Sequence, residues 1–151
     1  MKLKVFRIRH NAKLPSRAHA TDAGMDFYFC AERGSSKQVV VHPGETKMFS
    51  TGIKAEIPKG YMLEIKNKSS VAAKKQLLVG ACVVDAGYDG EIFINLHNIG
   101  KQSHWFKDGD KVAQGVLMPV DLCEIIEVED SDELNKDSTR GSGALGSTGS
   151  R

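Results

Sequence analysis

The chain has 151 residues, 40% of them hydrophobic, which is enough for one domain with a real core. With 21 basic against 19 acidic residues the formal charge is only +2, so no global field marks a nucleic-acid or membrane binder, and any anion site must be local. Three cysteines, Cys30, Cys82 and Cys123, are odd in number and widely spaced, which argues against a disulfide framework or a zinc site and for a reducing cytoplasm. No run approaches the ~18 apolar residues of a membrane span, and Met1–Arg9 alternates charged and apolar residues as a strand does rather than as a targeting signal.

In chain order, period-two or short apolar runs bounded by turn residues predict strands at Lys2–Arg9, Met25–Cys30, Gln38–His42, Lys47–Ser50, Ile53–Ile57, Tyr61–Lys66, Leu77–Val84, Glu91–His97, Val112–Met118 and Leu122–Val128. Turn residues cluster between them at His42–Glu45, Pro58–Gly60, Asp85–Gly90 and Lys107–Asp110. Only Ser70–Gln76 has helical composition, with preceding serines able to cap it. Many short strands and one helix predict an all-β sandwich or barrel over residues 1–128. An acidic linker is expected over 129–139, and a Gly/Ser-rich arm over 140–151.

Four stretches could carry chemistry. The arm offers unhindered backbone N–H groups on glycines, hydroxyls at Ser147 and Thr148 and a guanidinium at Arg140, a combination suited to phosphate; a plain flexible tail is the alternative reading. Lys68-Ser-Ser-Val-Ala-Ala-Lys74 opens the short helix, where free N–H groups favour an anion, although serines also simply cap helices. Val83-Val-Asp85-Ala-Gly-Tyr88-Asp-Gly-Glu-Ile92 puts a carboxylate at the end of an apolar strand and an aromatic at the following turn, either a pocket with a base on one wall or an ordinary Asx-turn. Asp108-Gly-Asp-Lys-Val-Ala-Gln114 is a turn feeding a strand that carries Lys111 and Gln114.

Taken with Ala23-Gly-Met-Asp-Phe27, these segments resemble, in sequence and in order, the five motifs of the trimeric deoxyuridine triphosphatases (dUTPases). Ser50–Tyr61 is also similar to that family, and the likeness covers nearly the whole chain. The resemblance implies a distorted jelly roll assembling as a homotrimer, with composite sites closed by the C-terminal arm. It implies hydrolysis of dUTP to dUMP and pyrophosphate. By the same resemblance, Asp85 would hold the sugar 3′-hydroxyl and act on the attacking water, and Tyr88 would lie against the deoxyribose. Backbone around Val83, Val84 and Phe93 would meet the uracil edge, with Val79 beside the base. Lys68, Ser69, Ser70 and Gln114 would bind phosphates, and Arg140, Ser147 and Thr148 would clamp the terminal one. Asp26 would sit near a Mg²⁺ held mainly by the triphosphate, through water. The location implied is the cytoplasm, or the host's for a viral protein.

The chain departs from the family pattern at four places. Lys68 replaces an arginine and so loses its bidentate fork. Cys82 replaces a glycine in the uracil hairpin, Asp89 an arginine, and Leu145 the aromatic that stacks on uracil. Two rival readings use the same fold. A dCTP deaminase would need a carboxylate where Asn95 stands, and an amide cannot serve as that base. A non-catalytic regulatory module has no use for Asp85, Gln114 and Arg140 together.

Overall fold

The computed structural model describes residues 1–135 and 137–139. In chain order the strands are β1 (Lys4–Arg7), β2 (Met25–Tyr28), β3 (Gln38–Val41), β4 (Thr46–Ser50), β5 (Ile53–Glu56), β6 (Tyr61–Lys66), β7 (Leu77–Val79), β8 (Val83–Val84), β9 (Phe93–Asn98), β10 (His104–Lys107) and β11 (Lys111–Pro119). Among the described residues the single α-helix, α1 (Ser69–Lys75), lies between β6 and β7. Every strand pairing is antiparallel. One sheet runs β2-β11-β6-β8 and a second β4-β9-β7, with β1-β5 and β10-β3 as two-stranded ribbons. Among the described residues no helix is long and apolar enough to cross a membrane.

Alternation decides which face of each strand turns inward. In β9, Ile94, Leu96 and Asn98 are buried while Phe93, Asn95 and His97 occupy the other face; in β6, Leu63 and Ile65 are the buried pair. Ile94, Leu96, Leu63 and Ile65 join Phe27, Phe49, Phe106, Ile53 and Val112 in one hydrophobic core. Phe49 anchors it with edge-to-face contacts to Phe29 at 5.5 Å and Phe106 at 5.0 Å between centroids. Buried polar groups are paired: Asn98 donates to the carbonyls of Val41 and Gln102, and the Thr51 hydroxyl donates to the Ile92 carbonyl.

Four sequence expectations change in detail. The run Leu77–Val84 is two strands in different sheets, because the chain passes through Gly80-Ala81-Cys82 from β7, paired with β9, to β8, paired with β6; the Gly80 N–H still bonds Asn95 and the Cys82 carbonyl accepts from Ile65. Strand β10 was not foreseen, although the aromatic pair Trp105 and Phe106 is a strand signal. No serine caps α1: the helix starts at Ser69, Lys68 occupies the N-cap without a side-chain bond, and both serines fall in the first turn. Finally, residues 122–128 form no strand. A strand exists through its ladder, and none of the described residues pairs with this segment.

The chain divides into two compact units, Met1–Asp121 and Leu122–Arg151. Within the second, a 3₁₀ turn at Ser131–Glu133 is capped by the Asp130 carboxylate, which accepts from the Asp132 N–H at 2.9 Å.

Candidate active site

Strand β6 carries both halves of the site. Its middle pairs with β8, Leu63 opposite Val84 and Glu64 opposite Val83, and its end pairs Lys66 with Gln114 of β11. Where β8 ends, Asp85 begins a turn whose carbonyl accepts the Tyr88 N–H at 3.3 Å, and Gly87 takes a φ of +91°. The Tyr88 hydroxyl folds back to donate to the Glu91 carbonyl at 2.9 Å. A Cβ at Gly90 would collide with the Tyr88 ring, so the glycine permits this close return. The far end of the loop is pinned: the Glu91 carboxylate accepts both terminal nitrogens of Arg9 and the Gly52 N–H, the last at 2.7 Å.

Val83, Val84, Asp85, Tyr88 and Phe93 line one cavity of about 260 Å³ with Met48, Glu91 and Ile92. Its walls are mainly apolar or aromatic, which suits a flat ring. The Asp85 side chain is exposed and makes no hydrogen bond or ion pair to the described residues, leaving both carboxylate oxygens for a ligand or a water.

The other half is built on charge. Asp26, only 6% exposed, holds Lys68 Nζ on Oδ1 at 2.8 Å and Lys111 Nζ on Oδ2 at 2.7 Å. A bulge between Lys111 and Ala113 in the β11–β2 ladder helps to bring Lys111 to this carboxylate. Burial alone would raise the Asp26 pKa, but hydrogen bonds from Lys111 and Lys68 outweigh it and hold the carboxyl below its ordinary range. The Lys111 pKa is raised by the same hydrogen bond. Lys68, Ser70 and Lys111 line a second cavity, about 410 Å³, with Lys74 and Lys75. Gln114 is held by its Nε2 bond to the Asn67 carbonyl at 3.0 Å and by Gly24, where any Cβ would strike the Gln114 amide.

The expected contact of Asp26 with Mg²⁺ runs through water, not through direct ligation. Both Asp26 oxygens are occupied by ammonium groups, and among the described residues no three His, Cys, Asp or Glu side chains gather as a metal cluster. This donor set does not fit a directly ligated Mg²⁺.

Of the predicted residues, five therefore meet around one cavity and Lys68 with Ser70 around another. Ser69 is exposed beside Ser70 on the first helical turn, and Val79 stands at the end of β7, lining neither cavity. Arg140, Leu145, Ser147 and Thr148 lie outside the described residues. The sequence reading missed Met48, Asn67, Glu91 and Lys111 as parts of the site. Lys111 and Glu91 had a signal, their places in the Gly-Asp-Lys-Val-Ala-Gln and Val83–Ile92 stretches; Met48 and Asn67 are brought in by strand pairing and long-range bonds. A larger cleft of about 430 Å³, lined by Ile8, His10, Arg33 and Lys37 among others, contains none of the predicted residues.

The dUTPase family model matches residues 10–149. The chain belongs to the dUTPase family. It is 40% identical over 151 residues, covering 99% of this chain and 97% of the relative, to the deoxyuridine 5′-triphosphate nucleotidohydrolase of Gloeothece citriformis. It is also 40% identical over 149 residues to the corresponding protein of Alkaliphilus metalliredigens, covering 97% of this chain and 96% of the relative. Among solved structures, a Staphylococcus bacteriophage 80alpha dUTPase variant with dUpNHpp superposes with a TM-score of 0.80 at 29% identity, covering 98% of both chains. A dUTPase variant from phage phi11 of S. aureus, described with a structural Mg(II) ion, gives 0.76 at 28% identity over 87% of this chain and 99% of that one. The predominantly β architecture agrees with these dUTPases.

Proposed function

We propose that this dUTPase-family chain hydrolyses dUTP to dUMP and pyrophosphate by attack of water at the α-phosphorus, which limits uracil incorporation into DNA and supplies dUMP for dTMP synthesis. The observations that support the mechanism are an apolar cavity beside β8 that bears an unpartnered carboxylate, Asp85, and a lysine-lined cavity at the turn and helix that follow β6. Asp85 hydrogen-bonds the sugar 3′-hydroxyl, orients the water and accepts its proton, so no covalent nucleophile is needed. Tyr88 packs on the deoxyribose, where a 2′-hydroxyl would clash. Backbone at Val83, Val84 and Phe93 reads the uracil edge, with Val79 behind it.

Lys68, Ser69, Ser70 and Gln114 receive the phosphates. An ammonium has three donors, so Lys68 can keep its bond to Asp26 while meeting a phosphate oxygen. Arg140, Ser147 and Thr148 clamp the terminal phosphate, and Leu145 covers the base with apolar surface. In this reading the triphosphate would carry its own Mg²⁺, which would neutralise part of its charge, and Asp26 would meet that ion only through water. The assembly is a homotrimer of distorted jelly rolls in a reducing cytoplasm, consistent with three free cysteines among the described residues. Asn95 on β9 weighs against deamination, since an amide stands where that chemistry needs a base.

Turnover of dUTP with Mg²⁺ in isotopically labelled water tests the mechanism. Label in the dUMP phosphate is the expected result. Label in pyrophosphate would mean attack at the β-phosphorus, and ammonia release from dCTP would mean a different enzyme.

A further inference from the structure

Glu91 holds the loop between β8 and β9 through two of its groups. Its carboxylate is anchored in the scaffold: Oε1 accepts the Gly52 N–H at 2.7 Å and one Arg9 terminal nitrogen, and Oε2 accepts the other at 3.1 Å. Little of this ion pair meets solvent, the Arg9 side chain being 18% exposed and that of Glu91 12%. Gly52 is itself fixed, since it takes a φ of +69° and a Cβ there would come within 2.7 Å of Ala12 and 2.9 Å of Cys30 Sγ. The neighbouring Ile92 is held on the same turn: its N–H donates to the Ile53 carbonyl at 2.8 Å, and its carbonyl accepts the Thr51 hydroxyl at 2.6 Å. The backbone carbonyl of Glu91 in turn accepts the Tyr88 hydroxyl at 2.9 Å. Asp85, Tyr88 and Glu91 line one cavity and belong to one chain, so the tie acts within a single wall however the phosphate half is assembled. A second ion pair of the loop, Lys54 to Asp89 at 2.6 Å, is of a different kind: the Asp89 side chain is 91% exposed and water screens the pair.

We infer that Glu91 is a positioning residue for sugar discrimination: its anchored carboxylate fixes the carbonyl that holds the Tyr88 hydroxyl, and so fixes the room the Tyr88 ring leaves beside the 2′ carbon. This rests on the dUTP reading above, in which Tyr88 packs on the deoxyribose. A side chain excludes a 2′-hydroxyl only as far as it resists displacement, and a ring tied at its hydroxyl resists better than one free to change rotamer. If the tie is lost, the ring yields to a ribose, so UTP gains on dUTP while Asp85 and the phosphate groups keep their roles. Glutamate suits the anchor because its two oxygens accept three donors. Glutamine has one acceptor oxygen and would turn an NH₂ toward Arg9 or Gly52, which are donors themselves.

The test is the ratio of kcat/KM for dUTP to that for UTP, measured in wild type, Glu91→Gln, Tyr88→Phe, the double variant and Lys54→Gln. In Glu91→Gln and in Tyr88→Phe the preference for dUTP should fall roughly three- to tenfold, the scale of one net hydrogen bond. The double variant should fall no further than the lower single, because both changes remove the same tie. Lys54→Gln should keep the wild-type ratio. A role in folding alone would slow both nucleotides equally and leave the ratio where it was. An unchanged ratio in either single variant, or losses that multiply in the double one, would overturn the inference. Tyr88→Phe leaves the ion pair intact, so it decides the matter even if Glu91→Gln does not fold. A wild type with no preference for dUTP over UTP would instead overturn the dUTP reading on which the inference rests.

Discussion

Two aspartates in this molecule are treated in opposite ways. Asp26 is buried in β2 with an ammonium on each oxygen, and its pKa is held down by those bonds. Asp85 sits at an exposed turn with neither oxygen engaged by the described residues. The first carboxylate spends its charge on the protein, organising Lys68 and Lys111. The second is left for a ligand. A carboxylate that must accept a proton needs access and freedom; one that must hold lysines in place needs burial and partners.

The largest expected effect comes from removing the free carboxylate. Asp85→Asn keeps volume and a hydrogen bond to the sugar but cannot take a proton, so turnover should fall by roughly 10²–10⁴ while binding of the imido analogue largely survives. Steady-state kinetics with calorimetric binding would measure both. If the variant turns over like the wild type, Asp85 is an ordinary turn residue and the contrast with Asp26 collapses.

Ending the chain after Lys136 should cost less, roughly ten- to hundredfold in kcat/KM, from the loss of charge-assisted hydrogen bonds to the terminal phosphate. The thermal transition of the unit Met1–Asp121 should be retained, which circular dichroism can follow. Full activity in the truncated protein would return the arm to the status of a linker.

Asp26→Asn probes the paired carboxylate. Two lysines would lose their counter-charge, and stability should drop by about 1–3 kcal/mol, the range for hydrogen bonds to charged groups. The sign with pH follows from the direction of the shift. Because the folded pKa lies below the ordinary value, the contribution is present above pH about 4 and is lost as pH falls through the folded pKa. Urea unfolding of the wild type should therefore weaken on acidification through that window, and the variant should show a flatter profile. The smallest effect is expected for Leu145→Phe, which should tighten nucleotide binding by about 0.5–1.5 kcal/mol if the ring reaches the uracil; an unchanged dissociation constant would place residue 145 away from the base.

Much of this was legible in the residues themselves. Period-two alternation located most of the strands, and the turn-rich stretch from Asp85 to Gly90 located the loop around the cavity that Asp85 and Tyr88 line. What the sequence could not convey was partnership. Nothing in the order of residues says that Asp26 meets Lys68 and Lys111, because that depends on strands β2 and β11 pairing across a bulge. Likewise the apolar run Leu77–Val84 reads as one strand, and only the tertiary fold divides it between two sheets. The run Leu122–Val128 shows the converse: apolar composition alone does not make a strand without a partner for its ladder.

The most direct test of the account is pyrophosphate release by the full chain with Mg²⁺ from dUTP, dCTP, dTTP and UTP assayed in parallel. The apolar cavity with Asp85 and Tyr88 on its walls predicts rapid release from dUTP and strong discrimination against the other three. Equal turnover of all four would contradict it, because the loop between β8 and β9 would then be reading neither the base nor the sugar.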